Sequence, residues 1–507
     1  MANDLILEIS NVGPIFNAKI DIGKINVVGG KNSTGKSTSS KLLYSFLRAN
    51  SPFSDELILK NCILLINRIL RRVDYEMISE EDSNELKRMS SLMFEFKRRP
   101  QDYYYPDFDL YDIMSYTRIL NEILDKYEKD DVAKFYSYEN SLRELNYLTT
   151  EILNNPHKFY SSKLKEVLFS EINDQISFNK ASHVLPRAIL KSDQFDFEDE
   201  FDFYQYIQFT GNRRGRRSNG RPFKLKHIRN SDYFDEDLKE YSEDRYIYHR
   251  NSYPIEHVLY LDSFSIFDEG RNGLFNTEHV DNLNNKLNSR YQYKAGINEE
   301  LDIKIDDLLD SITELIGGKI VQNKSELEFV SNDNISSPMK STASGIKQIG
   351  IVQKLLANRS LIPGSFLIID EPEVNLHPEW QVKFAEILVL IALELDISLY
   401  INTHSPMFIE AISLYSDFYD LLDETNFYLT EEEYFVQEKE SGSPKRRKVH
   451  LVKETDTSWI FKEGYKFVKI DPKDMGAVYE NLSEPYDVLD DVKSKLIFKD
   501  SKKSEDI

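Results

Sequence analysis

A nine-residue stretch, GKNSTGKST, has the residue types and spacing of a phosphate-binding loop. It fits the Walker A pattern G-x-x-x-x-G-K-[ST] at Gly30, Gly35, Lys36 and Ser37. The glycines let the backbone curl so that successive N–H groups point at phosphate oxygens. We expect Lys36 to contact the β- and γ-phosphates of ATP and the Ser37 hydroxyl to ligate Mg²⁺. The predicted ATP-binding residues of this loop are Gly30, Lys31, Asn32, Ser33, Thr34, Gly35, Lys36, Ser37 and Thr38.

A second pattern supplies carboxylates for metal binding and for water activation. An apolar run from Phe366 to Ile369 reads as a buried strand and is followed at once by Asp370 and Glu371. We expect Asp370 to hold Mg²⁺ opposite Ser37 and Glu371 to orient and polarise the attacking water. An acidic helix start after a strand is a common structural feature, and the Walker A loop is what favours the catalytic interpretation of this Walker B element.

Three further segments have the order expected around a nucleotide. Thr403-His404-Ser405-Pro406 follows a predicted strand over 397–401, which places His404 where it can reach a γ-phosphate. The small-residue turn before Ile346, with Ser344 and Gly345, opens a predicted helix and offers N–H groups to an anion. Each feature also has an ordinary structural interpretation: a structural histidine and a helix N-cap. The segment EVNLHP, 373–378, is by itself a loop before a helix.

The elements that carry these motifs alternate in type. Short strands are predicted over 5–9, 17–22 and 25–28, and a helix over 36–48 follows the Walker A loop. A helical pattern extends over 52–155. Further elements are predicted as a strand over 258–261, a helix over 301–315, a hairpin over 319–330, a helix over 378–394, short strands over 427–429 and 434–436, and a last helix near 474–495.

The order of these motifs, with THSP last, resembles the ABC-type ATPase heads of the SMC/RecF/OLD superfamily. The segments DEPEVNLHPEWQ and INTHSPMFIEAI resemble stand-alone AAA family ATPases of OLD-like anti-phage systems. The resemblance covers about 1–50, 256–415 and 479–489. It implies an α/β fold in which an ABC-type P-loop ATPase head, a mixed sheet with N-terminal antiparallel strands, carries a large mainly helical insertion.

The resemblance also implies a division of the chain and of the site. The divisions are an ATPase lobe with Walker A (1–50), a mainly helical insertion with a basic loop at 211–229 (51–255), an ATPase lobe with signature, Walker B and switch histidine (256–415), and C-terminal β-hairpins and a helix attached to the head (416–507). In ABC heads two protomers sandwich ATP, so Ser344 and Gly345 are expected to act on the partner's γ-phosphate. Glu371 and His404 are the expected catalytic residues, His404 as the switch histidine.

Two assignments follow from position within that family pattern. Asn375 to His377 resembles the D-loop, a dimer contact, and Asp262-Ser263 is the best positional match for the Q-loop. The signature reads SGIKQ where ABC transporters have LSGGQ, which argues against a transporter subunit.

Charge limits the expected partners. The chain of 507 residues has a net charge of −22, so contact with nucleic acid requires a local basic patch. Gly211 to Arg229 contains eight Lys and Arg residues and no acidic residue. This basic loop is open to two interpretations: it binds a phosphate backbone, or it is a solvated loop paired with the acidic segments on either side.

Other features bound the compartment and the chemistry. The single cysteine, Cys62, excludes an intramolecular disulfide and a multi-Cys zinc site. The longest apolar run, Ile387 to Leu393, is too short to span a bilayer, and we predict a cytoplasmic protein. Residues 416–507 contain no Asp-x-Asp pair of the kind that OLD nucleases use. We therefore expect no nuclease site in this chain.

These observations predict an ATPase that uses ATP and Mg²⁺ and works as a homodimer or higher homo-oligomer. The family resemblance suggests a sensor or regulator of a separately encoded effector, a nuclease or toxin, in prokaryotic anti-phage defence. The alternative is a RecF/SMC-like ATPase of DNA repair or maintenance. A non-enzymatic scaffold is disfavoured by the intact Asp370-Glu371 pair.

Overall fold

The computed structural model describes most of the ATPase lobes and parts of the segment between them. The described residues are 5–50, 65–71, 73, 78–98, 110–127, 146, 167–168, 170–172, 184–192, 197–202, 227–228, 257–262, 277–288, 299–323, 326–439, 451–455, 457–473 and 475–482.

Strands dominate both ends of the chain. They are β1 (Leu5–Val12), β2 (Ile15–Ile22), β3 (Ile25–Gly29), β4 (Arg187–Ser192), β5 (Phe197–Asp202), β6 (His227–Ile228), β7 (His257–Leu261), β8 (Gly318–Asn323), β9 (Glu326–Ser331), β10 (Ser336–Pro338), β11 (Ser365–Asp370), β12 (Ser398–Thr403), β13 (Thr425–Glu438), β14 (Leu451–Glu454) and β15 (Ser458–Ile470).

Helices follow the Walker A loop, occur again between residues 80 and 127, and separate the later strands. They are α1 (Lys36–Asn50), α2 (Glu80–Arg98), α3 (Leu110–Tyr127), α4 (Glu278–Asn288), α5 (Glu299–Ile316), α6 (Ser344–Ala357), α7 (Pro378–Glu394), α8 (Pro406–Phe418) and α9 (Met475–Leu482). None of the described helices is long and apolar enough to cross a membrane.

One large mixed sheet organises the molecule. Its order is β6-β5-β4-β1-β2-β15-β13-β3-β12-β11-β7, with β14 paired to β15, and β8, β9 and β10 form a separate small sheet. Strands β13, β3, β12, β11 and β7 run parallel, whereas β1, β2, β4, β5 and β6 pair antiparallel. This mixed α/β sheet with N-terminal antiparallel strands confirms the predicted fold class.

The parallel strands are buried on both faces because helices cover each side. Along β11, Phe366 and Ile368 pack into a core cluster that includes α1, while Leu367 and Ile369 pack into a cluster that includes α5 to α8. Apolar residues at every position of such a strand are what burial on both faces requires. Because these strands run in the same direction, their carboxyl ends meet at one edge of the sheet, where polar side chains can gather.

The predicted strands at 427–429 and 434–436 were wrong as separate elements, because β13 is continuous from Thr425 to Glu438. Its three consecutive glutamates, Glu431 to Glu433, do not break the strand. Lys462 of β15 lies 2.5 Å from Glu432, and Lys466 lies within 4 Å of both Glu431 and Glu433. Opposite charges across a strand pair stabilise it, which a reading of one strand at a time misses.

The segment 51–255 contains more than helices. Helices α2 and α3 lie in it, but β4, β5 and β6 also fall inside and extend the large sheet from β1. Leu5 to Ser10 of β1 would otherwise be an open edge, and β4 covers it with buried Ala188 to Leu190. The sequence analysis did not predict these strands, although the described residues of 51–255 are helical at more positions than they are extended. Apart from 227–228, the basic loop 211–229 lies outside the described residues.

Candidate functional site

The predicted site residues come from the carboxyl ends of adjacent strands. Strand β3 ends at Gly29, directly beside Thr403 of β12, and Asp370 at the end of β11 is paired with Asn402. The Walker A loop leaves β3 at the same edge and enters α1. The structure thus brings the Walker A loop, the Walker B carboxylates and His404, the predicted switch histidine, to one place on the sheet.

Glycine is required at two points of the Walker A loop. Gly35 has φ +104°, and a Cβ there would lie 2.4 Å from Cγ1 of Ile15. At Gly30 a Cβ would lie 1.9 Å from the hydroxyl oxygen of Thr430. A side chain at either position would force the loop away from its neighbours, so the two glycines set the path of the backbone.

Lys36 is buried at the start of α1, and its ammonium turns back onto the loop. Nζ donates to the carbonyl oxygens of Gly30 at 2.9 Å and Lys31 at 2.8 Å, and lies 3.2 Å from Nδ1 of His404. Burial lowers the pKa of Lys36 to about 8, against the opposing effect of the nearby carboxylates, of which Glu371 contributes most. A buried cation that donates to loop carbonyls is ready to exchange them for phosphate oxygens.

Asp370 is saturated with hydrogen-bond donors. Oδ2 accepts from the Tyr260 hydroxyl at 2.8 Å, Oδ1 accepts from the Ser40 hydroxyl at 3.0 Å, and Asn402 and Ser37 also donate to the carboxylate. Burial raises the pKa of Asp370, and these hydrogen bonds work in the opposite direction. The donors fix the orientation of the carboxylate at the edge of the sheet.

The oxygen atoms around Asp370 fit Mg²⁺ in kind. The Ser37 hydroxyl, which is exposed, donates to the Asp370 carboxylate, so the two predicted ligands are neighbours. Mg²⁺ prefers oxygen ligands and usually combines one or two protein groups with substrate phosphates and water. In the described part of the chain, no group of three or more His, Cys, Asp or Glu residues is placed to hold a metal.

Glu371 and His404 form a pair beside the Walker A loop. Nε2 of His404 lies 2.8 Å from Oε1 of Glu371, and Nδ1 lies 2.7 Å from the carbonyl oxygen of Gly30. The Glu371 side chain is 44% exposed, so water can reach it. His404 therefore bridges the loop and the Walker B glutamate.

Glu373 was not predicted as a site residue but holds the switch segment. Its Oε1 accepts the backbone N–H of His404 at 2.8 Å, and Thr403 also bonds to the carboxylate. The side chain is buried, and burial raises the pKa of Glu373. Glu373 therefore positions His404 by accepting a hydrogen bond from the backbone N–H of that residue.

The predicted signature residues lie against another part of the chain. Helix α6 begins at Ser344, and a Cβ at Gly345 would lie 2.9 Å from Cδ2 of Leu376 and 3.1 Å from the carbonyl oxygen of Asn375. The described contacts thus place the turn on the predicted D-loop, not on the Walker A loop. Asn375 itself is exposed with φ +60°.

Asp262, the predicted Q-loop position, is partly exposed and forms an ion pair with the buried His279. Its Oδ2 lies 3.0 Å from Nε2 of His279, whose Nδ1 lies 2.5 Å from Oε2 of Glu171. Burial opposes the charged forms, but the pairing prevails: it raises the pKa of His279 to about 9 and holds the pKa of Asp262 below its usual value. Ser263, the other residue of this prediction, lies outside the described residues.

Sequence patterns missed several residues that complete the site, although some left a signal. Tyr260 is the one hydroxyl in the otherwise aliphatic run VLYL, and its donation to Asp370 explains it. Ser40 lies one helical turn after Lys36 and so returns to the same side of α1. Asn402 directly precedes the THSP segment. Gln348 reaches the Glu371 backbone from α6, a contact between distant segments that has no local signature.

Comparison with protein families identifies the broad class of the chain. The AAA ATPase domain family matches residues 6–409, well over half of the chain. No curated protein matches.

Solved structures give distant similarities of shape. They include an SMC head domain from Thermotoga maritima (9% identity, 85% of this chain and 95% of that one, TM-score 0.30) and an SMC head bound to the C-winged helix domain of ScpA (9%, 92% and 97%, 0.30). Another is cbiO1 of Clostridium perfringens, part of the ABC transporter complex cbiONQ (14%, 56% and 82%, 0.21).

Proposed function

Because the chain belongs to the family of AAA ATPase domains, we propose that it binds ATP at residues Gly30–Thr38 and hydrolyses it with Mg²⁺. One observation carries the proposal. Lys36, His404 and Glu371 form a continuous row, with 3.2 Å from Nζ of Lys36 to Nδ1 of His404 and 2.8 Å from Nε2 of His404 to Glu371. This row combines a cation for phosphate, a switch residue and a carboxylate for water at one strand edge.

Each residue has a defined part in the reaction. Lys36 exchanges the carbonyls of its loop for the β- and γ-phosphates. The Ser37 hydroxyl and the Asp370 carboxylate hold Mg²⁺, which offsets phosphate charge when it is bound. Glu371, whose side chain is partly exposed, orients and polarises the attacking water. His404 turns from the Gly30 carbonyl to the γ-phosphate and keeps the Glu371 carboxylate in place.

We further propose that two copies close around ATP, with Ser344 and Gly345 meeting the partner's γ-phosphate. On this proposal the bound state regulates a separately encoded effector in prokaryotic anti-phage defence, in the cytoplasm. The support for dimer, effector and setting is the resemblance of the motifs, above all SGIKQ, DEPEVNLHP and THSP, to that group of ATPases.

Glu371→Gln tests the assignment directly. The amide keeps the shape of the side chain and cannot polarise water, so turnover should fall on the order of 100-fold or more while ATP still binds.

Two further measurements test the dimer and the metal. Light scattering of Glu371→Gln with ATP should show twice the monomer mass, and chelation of Mg²⁺ should abolish wild-type turnover. Glu379→Gln, at an exposed position of α7, is the matched control. Wild-type turnover in Glu371→Gln would remove Glu371 from the mechanism.

DNA maintenance is the rival role, and the eight basic residues of 211–229 favour it. Turnover measured with and without duplex DNA separates the two roles. Stimulation that weakens steeply with salt, and that disappears when Arg213, Arg214, Arg216 and Arg217 become Ser, supports the DNA role. Unchanged turnover in DNA supports an effector-linked ATPase.

A further inference from the structure

The backbone of Glu371 is held in an uncommon conformation. Its φ is +53°, in the left-handed region that costs a non-glycine residue about 1 kcal/mol or more. Such a conformation persists where the surroundings determine it. Its N–H donates to the carbonyl oxygen of Asn402 at 2.8 Å, and its own carbonyl accepts from the N–H of Val374 at 3.1 Å.

A third contact comes from a distant helix. Nε2 of Gln348, on α6, donates to the Glu371 carbonyl oxygen at 2.9 Å. Gln348 is 8% exposed, and its Oε1 is buried and accepts no hydrogen bond in the described part of the chain. The Glu371 carbonyl dictates this orientation, because the reverse amide orientation would set two oxygens against each other.

Helix α6 connects the Gln348 amide with Ser344 in the signature turn. Ser344, the first residue of the signature turn, lies four residues earlier on the same helix, which is about one helical turn. A displacement of the helix start therefore reaches the Gln348 amide through rigid backbone. On the other side, Asn402 ties the Glu371 N–H to the strand that leads to His404.

We propose that Gln348 is a positioning residue: it sets the place of the Glu371 carboxylate in its own chain and links it to the signature turn. The inference rests on the proposed function in two respects: that Glu371 acts on water, and that Ser344 meets the nucleotide of a second copy. A nucleotide from a second copy at Ser344 then controls catalysis in this chain through Gln348. Each copy thereby senses whether the opposite site of the dimer is filled.

Gln348→Met tests the contact, since it keeps the length of the side chain and removes the donor. Gln353→Met is the matched control: Gln353 is also buried on α6, but it bonds to Thr313 and to the backbone of Gly318 and Ile320. Hydrogen–deuterium exchange of the peptide over 371–376, without nucleotide, reports the positioning independently of activity. We expect faster exchange in Gln348→Met and none of this change in Gln353→Met.

Turnover and nucleotide affinity complete the test. Misplacement of Glu371 should lower kcat on the order of 10- to 100-fold, with ATP affinity within about 2-fold. Gln348→Glu should lower kcat further, because it sets an oxygen against the Glu371 carbonyl, and it serves as the second variant if Gln348→Met unfolds. Unchanged exchange at 371–376 in the folded variant overturns the proposal. A wild-type protein without turnover overturns the proposed function instead, and the exchange result still decides the role of Gln348.

Discussion

Helices α1 and α6 both begin with a turn of small residues, yet their surroundings differ. At the start of α1, Lys36 lies among the carbonyls of its own loop, His404 and the Walker B carboxylates. At the start of α6, Ala343 provides no side-chain cap and Gly345 packs on Asn375 and Leu376. Both helix starts offer N–H groups to an anion. The first adds a cation and reacting groups from the same chain, whereas the second has to meet an anion brought from elsewhere, as the proposed dimer requires.

Lys36→Ala should break the α1 site with the largest effect. It removes the buried cation that meets the phosphates, and the lost charged hydrogen bonds should weaken ATP binding by on the order of 100-fold or more. Calorimetric titration with ATP measures this. Lys383→Ala, at an exposed lysine of α7, should bind as the wild type does. Affinity within about 2-fold in Lys36→Ala would show that another group holds the phosphates.

Ser344→Arg should separate the two helix starts. ATP affinity should stay within about 3-fold, because the α1 site is intact, while turnover falls by on the order of 10-fold or more because the partner's nucleotide is blocked. Mixing this variant with Lys36→Ala gives a dimer with one intact composite site, so activity should partly return. Absence of recovery, with subunit exchange shown by labelled protein, argues for action within one chain.

Replacing one glycine in each turn by alanine compares how tightly the two turns are packed. Gly35→Ala should cost about 1–3 kcal/mol in the free energy of unfolding, since φ is +104° and the Cβ would meet Ile15. Gly345→Ala should cost less, about 1 kcal/mol, because its φ is not positive and its Cβ would meet the Leu376 side chain at 2.9 Å and the Asn375 carbonyl oxygen at 3.1 Å, contacts that small shifts relieve. Urea unfolding of both variants measures the difference. Equal losses would mean that the α6 turn is as tightly set as the Walker A loop.

The smallest expected effect is the uptake of protons when ATP binds. We expect it only at the start of α1, where Lys36 lies. With a pKa of about 8, about half of Lys36 lacks its proton at pH 8, and an adjacent phosphate favours the charged form. ATP binding at pH 8 should therefore take up about half a proton, falling to about a tenth at pH 7. Calorimetry in buffers of different ionisation enthalpy measures this. Release of protons at pH 8 would contradict the sign.

Local patterns predict where the Walker A and Walker B motifs lie because each motif falls within one strand and the turn after it. The apolar run ending at Asp370 predicts a buried parallel strand, and the fold class follows from it. Contacts between distant segments leave no local sequence pattern from which they could be predicted. Gln348 and Glu371 are 23 residues apart in sequence, and Tyr260 and Asp370 are 110 apart. Strand β13 crosses Glu431 to Glu433 because β15 supplies the lysines, and no single-strand pattern contains that information.

The place of β3 in the sheet has a consequence for synthesis. The strand that leads into the Walker A loop lies between β12 and β13, and Thr425, where β13 begins, is 396 positions after Gly29. At a ribosomal rate of about 5–20 residues per second, its two neighbours follow after roughly 20–80 seconds. Until then the strand and its loop lack their partners, and closure of so long a loop is a slow, high-contact-order step. On the proposed function, ATP therefore cannot stabilise the nascent chain before β12 and β13 have been synthesised.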